Sequence, residues 1–269
     1  MNVSEVPAGT TQVGGYDPRF FDQLATIEDR HFWFRARNRL IFELAKKISS
    51  SLEPGYLVLE LGCGTGNVLR VLQQACPEGT LVGLELWSDG LRYARHRSTA
   101  FVVQGDVRSC PFGKQFELIG MFDVLEHVQE ESETLDALLR LLMPGGRLLL
   151  TVPAHKFLWS YFDEAAHHCR RYSPKEIHNK LTEAGFAVEY QSQFMTCIFP
   201  LVWLSRKIGG RQQKAQSRDA KALVSKEFRL VPIINGILTA LLNLEARWLA
   251  RGHSLPIGTS LVVIARRAK

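Results

Sequence analysis

Residues 57–67 read L-V-L-E-L-G-C-G-T-G-N, and this stretch is the strongest indication of the fold of the chain. Four of its first five residues are apolar, as in a strand that is covered on both faces of a parallel sheet. Gly62, Gly64 and Gly66 follow, and residues without a Cβ atom let the backbone turn tightly and approach a ligand closely. From Asn67 onward apolar residues recur at helical spacing. The stretch therefore predicts a strand, a glycine-rich turn and a helix, arranged as a cradle for a nucleotide-type ligand.

Glu60 precedes the glycine turn and indicates the charge of that ligand. A carboxylate at this point repels a pyrophosphate but attracts an ammonium or sulfonium group. The G-x-G-x-x-G spacing of dinucleotide-binding folds is not met, because Asn67 stands at its last position. The chain here resembles the class I S-adenosylmethionine-dependent methyltransferases, whose first motif has the form (acidic)-x-G-x-G-x-G at a strand-to-helix junction. A tight strand-to-helix connection without a ligand is the alternative interpretation of the glycines taken alone.

Further acidic residues follow strand-like segments in the order that this resemblance implies. Residues 81–86 predict a second buried strand carrying Glu85, whose carboxylate can accept both ribose hydroxyl hydrogens. After a short strand at 101–103, the resemblance places Asp106 near the adenine amino group and the backbone of Val107 at the ring edge. We predict that the residues in contact with the cofactor are Trp33, Arg37, Glu60, Gly62, Cys63, Gly64, Gly66, Asn67, Glu85, Leu86, Asp106, Val107 and Phe122.

The rest of the pattern predicts an α/β, Rossmann-like fold. The predicted strands are residues 57–61, 81–86, 101–103, 116–121, 147–152, 186–191 and 260–265. Helices are expected between the first five strands and at 174–184, where Ser173 and Pro174 are typical of a helix start. The resemblance implies a mostly parallel seven-stranded sheet with an antiparallel last strand and helices on both faces. The predicted segments are an N-terminal tail with the start of a capping helix (1–30), an S-adenosylmethionine-binding core (31–193), a helical insertion (194–258) and the final strand (259–269).

A dense aromatic and basic patch lies within residues 20–48, which show helical spacing throughout. Trp33 and Arg37 are four residues apart and share a helix face. A helix that precedes the sheet commonly caps the cofactor in similar methyltransferases, so both residues are predicted to contact the cofactor or the substrate. An amphipathic packing helix is the alternative.

His127 is the predicted catalytic base. It follows the fourth strand at the sheet edge where ligands bind in open α/β folds, and the ordinary pKa of histidine suits proton transfer near neutral pH. The segment containing Asp123, Glu126 and His127 also resembles the ubiquinone-biosynthesis O-methyltransferases, in which carboxylates and a histidine bind a divalent ion. We expect no resident metal, although a divalent ion on these three residues stays an alternative. A purely structural role for Glu126 and His127 is another.

A second polar cluster follows the fifth predicted strand. Residues 168–173 match an H-x-R-R-Y-S/T stretch of similar bacterial methyltransferases. Substrate contacts are predicted at His155, His168, Arg171 and Tyr172, and the Arg171 guanidinium could bind a phosphate or carboxylate through two parallel hydrogen bonds. Solvated loop charge is the competing interpretation.

Charge is distributed unevenly along the 269 residues. Residues 206–229 contain eight Lys or Arg and two acidic residues, which accounts for the whole net charge of +6. Only one aromatic residue interrupts this segment, so it predicts a mobile basic loop rather than a nucleic-acid-binding face. The five cysteines form no C-x-x-C pair, and reduced thiols in the cytoplasm are expected. The N-terminus lacks the pattern of a signal peptide.

Two apolar stretches, residues 194–204 and 230–249, dominate the predicted insertion. Neither reaches the ~20 consecutive apolar residues that a membrane-spanning helix needs. Helical spacing puts one set of apolar residues of the second stretch roughly on one side: Ile234, Leu238, Leu241, Leu242 and Trp248. The helices could be a lid over an apolar substrate, an interfacial pair whose basic loop faces anionic lipid headgroups, or ordinary packing against the sheet edge.

Together these patterns predict S-adenosylmethionine-dependent methyl transfer to a small-molecule or lipid-linked acceptor, at oxygen. The protein is expected in the cytoplasm, with peripheral contact to the inner face of an anionic membrane. The alternative is a non-catalytic binding or membrane-adaptor protein on the same fold. Glu60, Glu85 and Asp106 argue against that alternative, since a fold without cofactor has no need for three carboxylates at these strand ends.

Overall fold

A computed structural model describes residues 20–113, 115–209 and 231–268. The helices in these ranges are α1 (Phe21–Ile27), α2 (Phe32–Ser49), α3 (Asn67–Ala75), α4 (Ser88–Arg97), α5 (Glu131–Leu141), α6 (Tyr161–Ala165), α7 (Pro174–Glu183), α8 (Phe199–Gly209) and α9 (Pro232–Ala250). The strands are β1 (Leu57–Leu61), β2 (Thr80–Glu85), β3 (Phe101–Gln104), β4 (Phe116–Phe122), β5 (Leu142–Pro153), β6 (Phe186–Phe194) and β7 (Ser260–Arg267). The predicted N-terminal tail and most of the predicted basic loop lie outside the described residues.

The seven strands form one sheet in the order β3-β2-β1-β4-β5-β7-β6. β1 pairs in parallel with β2 on one side and with β4 on the other, and β7 is antiparallel to both β5 and β6. The predicted fold class is therefore confirmed. Because the strand order reverses at β1, the loops after β1 and β4 diverge and leave a crevice at the carboxyl edge of the sheet.

Alternation along the strands explains why both faces of the sheet are buried. Val58 of β1 and Leu118 of β4 belong to a core shared with α2, α3 and α9. Their neighbours Leu59 and Ile119 belong to a second core shared with α5 and α7. Successive side chains of a strand point to opposite faces, so the continuous apolar run of β1 is covered from both sides.

Three predicted elements differ in the structure. The helix expected over residues 20–48 is two helices, α1 and α2, because Glu28 turns inward to pair with Arg97 and the His31 ring accepts the Trp33 backbone N–H at the start of α2. The described residues between β3 and β4 contain only a 3-10 turn, at Val107–Ser109, in place of the expected helix. β5 is longer than predicted, since its irregular first half still pairs with the start of β4.

The insertion between β6 and β7 carries α8 and α9. α9 packs along α2, and the apolar residues predicted for one side fall within an arc of roughly 120° but do not share one environment. Leu242 is buried, whereas Ile234, Leu241 and Trp248 are exposed, because neighbouring helical residues point about 100° apart. Within the described ranges, every helix is too short or too polar to cross a lipid bilayer.

Candidate active site

A cavity of about 790 Å³ opens at the carboxyl ends of β1, β2, β4 and β5. Every predicted cofactor residue except Gly66 lines it, and so do His127, His168 and Arg171 of the predicted acceptor side. The cavity also contains residues that sequence reasoning missed: Phe20, Phe21 and Glu28 before α2, Arg108 after β3, and Ile198, Val202 and Arg206 around α8. His155 and Tyr172 do not line it.

Close contacts with neighbouring elements account for two of the three glycines in the turn after β1. Gly62 and Gly66 have φ angles of +69° and +77°, where glycine is strongly favoured. A Cβ atom on Gly62 would lie 2.5 Å from Cγ2 of Val124, and one on Gly66 would lie 2.6 Å from Cα of Ala94. Gly66 is thus required for the close approach of α4, which explains why it lies outside the cavity lining.

Gly64, at φ +51°, is the glycine with room above it, since a Cβ there would meet only Phe21 at 3.6 Å. Its backbone N–H donates to Glu85 Oε2 at 2.8 Å, and the other carboxylate oxygen accepts the Trp87 N–H at 3.0 Å. Glu85 therefore ties the end of β2 to the glycine turn. Burial raises the pKa of this carboxyl group.

Glu60 is a buried carboxylate of the cavity beside the glycine turn. It is 2% exposed, and among the residues that the structure describes no hydrogen-bond donor reaches its Oε2 atom. Burial raises its pKa well above the usual value, against the opposing effect of Arg37, and the nearby Glu85 raises it further. A buried carboxylate without a partner is costly, and a cationic group bound in the cavity would supply the missing partner.

Asp106, predicted to lie near the adenine, is held by a residue two positions later. The Nε and Nη2 atoms of Arg108 donate to its carboxylate at 2.9 and 2.5 Å. Although burial raises the pKa of Asp106, the hydrogen bonds and charge of Arg108 hold it below its usual value. Asp106 is therefore ionised and fixed in direction, as a hydrogen-bond acceptor for a ligand amino group needs to be.

The capping region is built from two helices. Nη1 of Arg37 donates to Asp123 Oδ2 at 2.8 Å, and its guanidinium lies 5.1 Å from the centroid of the Trp33 ring. Arg37 thus connects α2 to the loop after β4. From α1, the Phe21 ring lies next to Gly64, 3.6 Å from the position that a Cβ atom of that residue would take. Two adjacent aromatic residues at positions 20 and 21 precede α2 in the sequence, and this pair is the pattern that could have predicted an aromatic contact with the cavity.

The acceptor side of the cavity contains two imidazoles. The rings of His127 and His168 have centroids 4.7 Å apart and meet edge to face. Nδ1 of His168 lies 2.9 Å from Asp163 Oδ1, and Nε of Arg171 donates to the same oxygen at 2.7 Å. Asp163 is fully buried at the start of α6, where its other oxygen accepts the Ser160 N–H.

The two imidazoles differ in their electrostatic surroundings. Burial lowers the pKa of His127 to about 3, and the neighbouring His168 ring adds to the effect. For Asp163, burial raises the pKa, but the hydrogen bond from His168 and the charge of Arg171 outweigh burial and bring the pKa below its usual value. Asp163 is thus an ionised carboxylate, which can only accept, so Nδ1 of His168 carries a proton, and in the neutral form of the ring Nε2 is a hydrogen-bond acceptor.

Two predicted substrate contacts occupy other places. Tyr172 is fully buried, and its hydroxyl group donates to Glu131 Oε2 at 2.8 Å. Burial and the Glu131 carboxylate raise its pKa. His155 lies beside Gln193, with Nε2 and Oε1 2.6 Å apart, and stacks on Phe157. Both residues fix the loop that carries Asp163 and His168 rather than facing the cavity.

Glu126, His127 and His168 place one possible ligand atom each within 4.8 Å of one another. Glu126 is buried, and burial followed by repulsion from Asp123 raises its pKa well above the usual value. Carboxylate and imidazole groups are common ligands of divalent transition metals. Asp123, a ligand in the alternative metal site considered from the sequence, is paired with Arg37 and is not among the three.

The sheet order, the glycine cradle and the acidic residues at successive strand ends define the class I S-adenosylmethionine-dependent methyltransferases. Comparison with known proteins gives the family. A model described as "Methyltransferase domain" matches residues 30–191, which is more than half of the chain, and the chain belongs to this family. S-adenosylmethionine is the cofactor of the family, and the unpartnered Glu60 carboxylate fits its positive charge.

Individual relatives match the core of the chain. It is 30% identical over 124 residues to the trans-aconitate 2-methyltransferase of Azoarcus sp. (strain BH72). The aligned region covers 46% of this chain and 47% of that protein. The chain is 29% identical over 135 residues to the ubiquinone biosynthesis O-methyltransferase of Bordetella avium, and this alignment covers 48% of this chain and 53% of that protein. The chain spans about half the length of the curated relatives it matches.

A solved structure shows the same fold over most of the chain. The plantazolicin methyltransferase BpumL in complex with SAH superposes with a TM-score of 0.58 at 14% identity. The superposition covers 93% of this chain and 90% of that one. At this level of identity the likeness shows the fold alone.

Proposed function

We propose that this protein transfers a methyl group from S-adenosylmethionine to an oxygen atom of a small-molecule or lipid-linked acceptor. One observation carries the proposal: a single cavity joins the glycine cradle and its carboxylates to an oriented imidazole and to an apolar wall from α8. A methyl acceptor bound between these groups would face the cofactor on one side and a proton-accepting imidazole on the other. The O-methyltransferase named among the relatives supports oxygen as the target atom.

The cofactor side is assigned to the residues that line the cradle. Bound S-adenosylmethionine supplies a methyl group activated by a sulfonium charge. Glu60 offers a carboxylate to its positively charged portion, Glu85 offers oxygens to the ribose hydroxyl groups, and Asp106 accepts from the adenine amino group. Gly64 leaves room for close backbone approach. α1 and α2 cover these groups and limit the access of water.

Proton removal is assigned to the histidine pair. Asp163 fixes the tautomer and direction of His168, leaving Nε2 able to accept a proton from the acceptor hydroxyl group. His127, the base predicted from the sequence, has a pKa of about 3, lowered by burial and by His168. We therefore propose that His127 stays neutral and helps to position the hydroxyl group, and that His168 accepts the proton.

The apolar wall indicates the kind of acceptor. Ile198, Val202, Phe32 and Phe162 all line the cavity, and we propose that they contact an apolar part of the acceptor. A prenyl or other lipid-linked molecule meets this requirement. We propose that the protein works in the cytoplasm at the inner face of an anionic membrane, where such an acceptor resides.

The test uses purified protein and ¹³C-methyl S-adenosylmethionine, with lipid extract or polar small molecules as acceptors. We expect enzyme-dependent label in solvent-extractable material, with the carbon chemical shift of an O-methyl group. Label in an N-methyl or C-methyl signal would contradict the choice of oxygen. Tight cofactor binding with no labelled product from any acceptor pool would favour the non-catalytic binding protein instead.

A further inference from the structure

α9 exposes a continuous apolar stripe to solvent. Ile233, Ile237, Leu241, Leu244 and Trp248 are between 44% and 78% exposed. At about 100° per residue these five positions fall within an arc of roughly 80° on the helix. They therefore form one face, which we call the α9 stripe.

Packing among residues 20–113, 115–209 and 231–268 does not require this stripe. The opposite side of α9 carries Thr239, Leu242, Ala246 and Leu249, which are buried, and the last three of these belong to the core shared with α2. A surface helix of an ordinary globular protein has an apolar side toward the core and a polar side toward water. α9 has two apolar sides, and a large exposed apolar patch marks an interaction site.

α8 repeats the arrangement next to the cavity. Ile198, which precedes the helix, and Val202 line the cavity. Leu201 and Leu204, which point to other sides of the helix, are exposed. α8 therefore separates the acceptor side of the cavity from an outer apolar surface.

Hydrogen bonds fix both helices to the cavity walls. Glu245 of α9 accepts the backbone N–H groups of Met195 and Thr196, just before α8, at 2.5 and 3.0 Å. Asn235 of α9 accepts the N–H of Phe32 at 2.7 Å and donates to the carbonyl of Arg30 at 2.9 Å. Phe32 lines the cavity, so the first turn of α9 is anchored at the cavity wall.

The charges around the helices identify the partner. Glu245 is the sole acidic residue in the sequences of α8 and α9, and it is buried. Lys207 at the end of α8 lies 4.1 Å from the Trp203 ring, and Arg247 and Arg251 at the end of α9 are exposed. The sequence between the helices, residues 211–229, adds six basic residues and two acidic ones. Apolar faces with flanking basic residues match the acyl chains and anionic headgroups of a bilayer.

We propose that the α9 stripe and the outer side of α8 dock on an anionic lipid bilayer, so that an acceptor can pass its polar end into the cavity while its apolar chain stays in the lipid. The acceptor part of this inference rests on the proposed function. The docking part rests on the helices alone, and its test needs no methyl transfer.

Vesicle flotation tests the docking. The full-length protein is mixed with vesicles of phosphatidylcholine alone or of equimolar phosphatidylcholine and phosphatidylglycerol. We expect binding to the anionic vesicles and a roughly tenfold or larger fall in the partition coefficient for Ile233→Ser/Ile237→Ser, because two exposed side chains no longer enter the lipid. The matched control is Phe101→Ser, since Phe101 is 68% exposed on edge strand β3, and it should float like the unchanged protein.

Several results would overturn the proposal. The unchanged protein could fail to float with anionic vesicles, or the double variant could float equally well. A dimer that the double variant converts to a monomer, without vesicle binding, would assign the stripe to a second copy of this chain. Calorimetric binding of S-adenosylhomocysteine, retained in all variants, shows that the fold is intact. If the unchanged protein does not bind S-adenosylhomocysteine, the proposed function is contradicted, whereas the flotation result still tests the docking.

Discussion

Nδ1 of His168 lies 2.9 Å from the carboxylate of the fully buried Asp163. A carboxylate in this position holds an imidazole in one direction and one tautomer. The neighbouring His127 ring is paired edge to face with His168 and has a strongly lowered pKa, because it is buried and lies beside a second imidazole. The two histidines of the cavity are therefore not equivalent.

His168→Gln should lower kcat by about 10²–10⁴-fold, the usual contribution of a positioned general base. Binding of S-adenosylhomocysteine should stay unchanged, because the substitution leaves the glycine cradle intact. His178→Gln is the matched control, since His178 is exposed on α7. Methyl-transfer kinetics and calorimetry check both statements. Equal rates for the two variants would remove His168 from the mechanism.

Arg171→Met should destabilise the protein by about 3–5 kcal/mol, because Asp163 would keep a buried charge without its guanidinium partner. Nε of Arg171 lies 2.7 Å from Asp163, and Nη1 donates to the Ala154 carbonyl at 3.1 Å. Arg95→Met, on the exposed side of α4, should change the free energy of unfolding by no more than about 0.5 kcal/mol. Urea unfolding measures both. A stable Arg171→Met protein with a raised KM would instead support the predicted substrate contact.

Glu60→Gln should raise the stability of the cofactor-free protein near neutral pH. The pKa of Glu60 is well above its unfolded-state value because the group is buried. As pH rises from the unfolded-state pKa toward the raised folded-state pKa, the unfolded chain releases a proton that the folded protein keeps, so stability falls. Gln has no such proton, and this loss should disappear. Urea unfolding between about pH 5 and pH 8 tests it, and parallel pH curves for the two proteins would contradict it.

The same substitution should weaken S-adenosylmethionine binding by roughly tenfold or more, the usual effect of losing a hydrogen bond to a charged group. For the unchanged protein, affinity should fall as pH is lowered, because the cationic ligand selects the ionised form of Glu60. Glu183→Gln, exposed at the end of α7, is the charge-matched control. Titration calorimetry at several pH values measures the effect, and an undiminished affinity in Glu60→Gln would exclude Glu60 from the cofactor site.

Gly64→Asp should abolish cofactor binding while the protein still folds. The new carboxylate would stand at φ +51° above the cradle, beside Glu85, and would fill the space left for the ligand. Gly113→Ala is the control, because a Cβ there meets nothing within 4 Å. Calorimetry with S-adenosylhomocysteine and circular dichroism give the readouts. Normal binding by Gly64→Asp would place the cofactor elsewhere.

Local patterns were sufficient for the elements that carry the predicted cofactor residues. The apolar run of β1 and the glycine turn are continuous in sequence, and the acid at the end of β2 lies on the next strand. The parallel fold brings the ends of such strands to one edge. The interruption at Glu28 could not be predicted in this way. Its cause is the ion pair with Arg97 on α4, a residue far away in the sequence.

The acceptor side depended on tertiary structure to a greater extent. His127 and His168 are recognisable as polar residues near strand ends, but their different roles come from Asp163 and from burial, which only the folded chain defines. Likewise Tyr172 belongs to a conspicuous motif and is buried against Glu131.

Strand alternation, glycine spacing and acidic strand ends are short-range patterns set by backbone geometry, so they were enough to predict the sheet and the family. Which side of α9 faces the core and which side stays exposed depends on tertiary contacts. Helical periodicity puts apolar residues on both sides of that helix, and only the position of α2 and the sheet selects the side carrying Leu242 for burial.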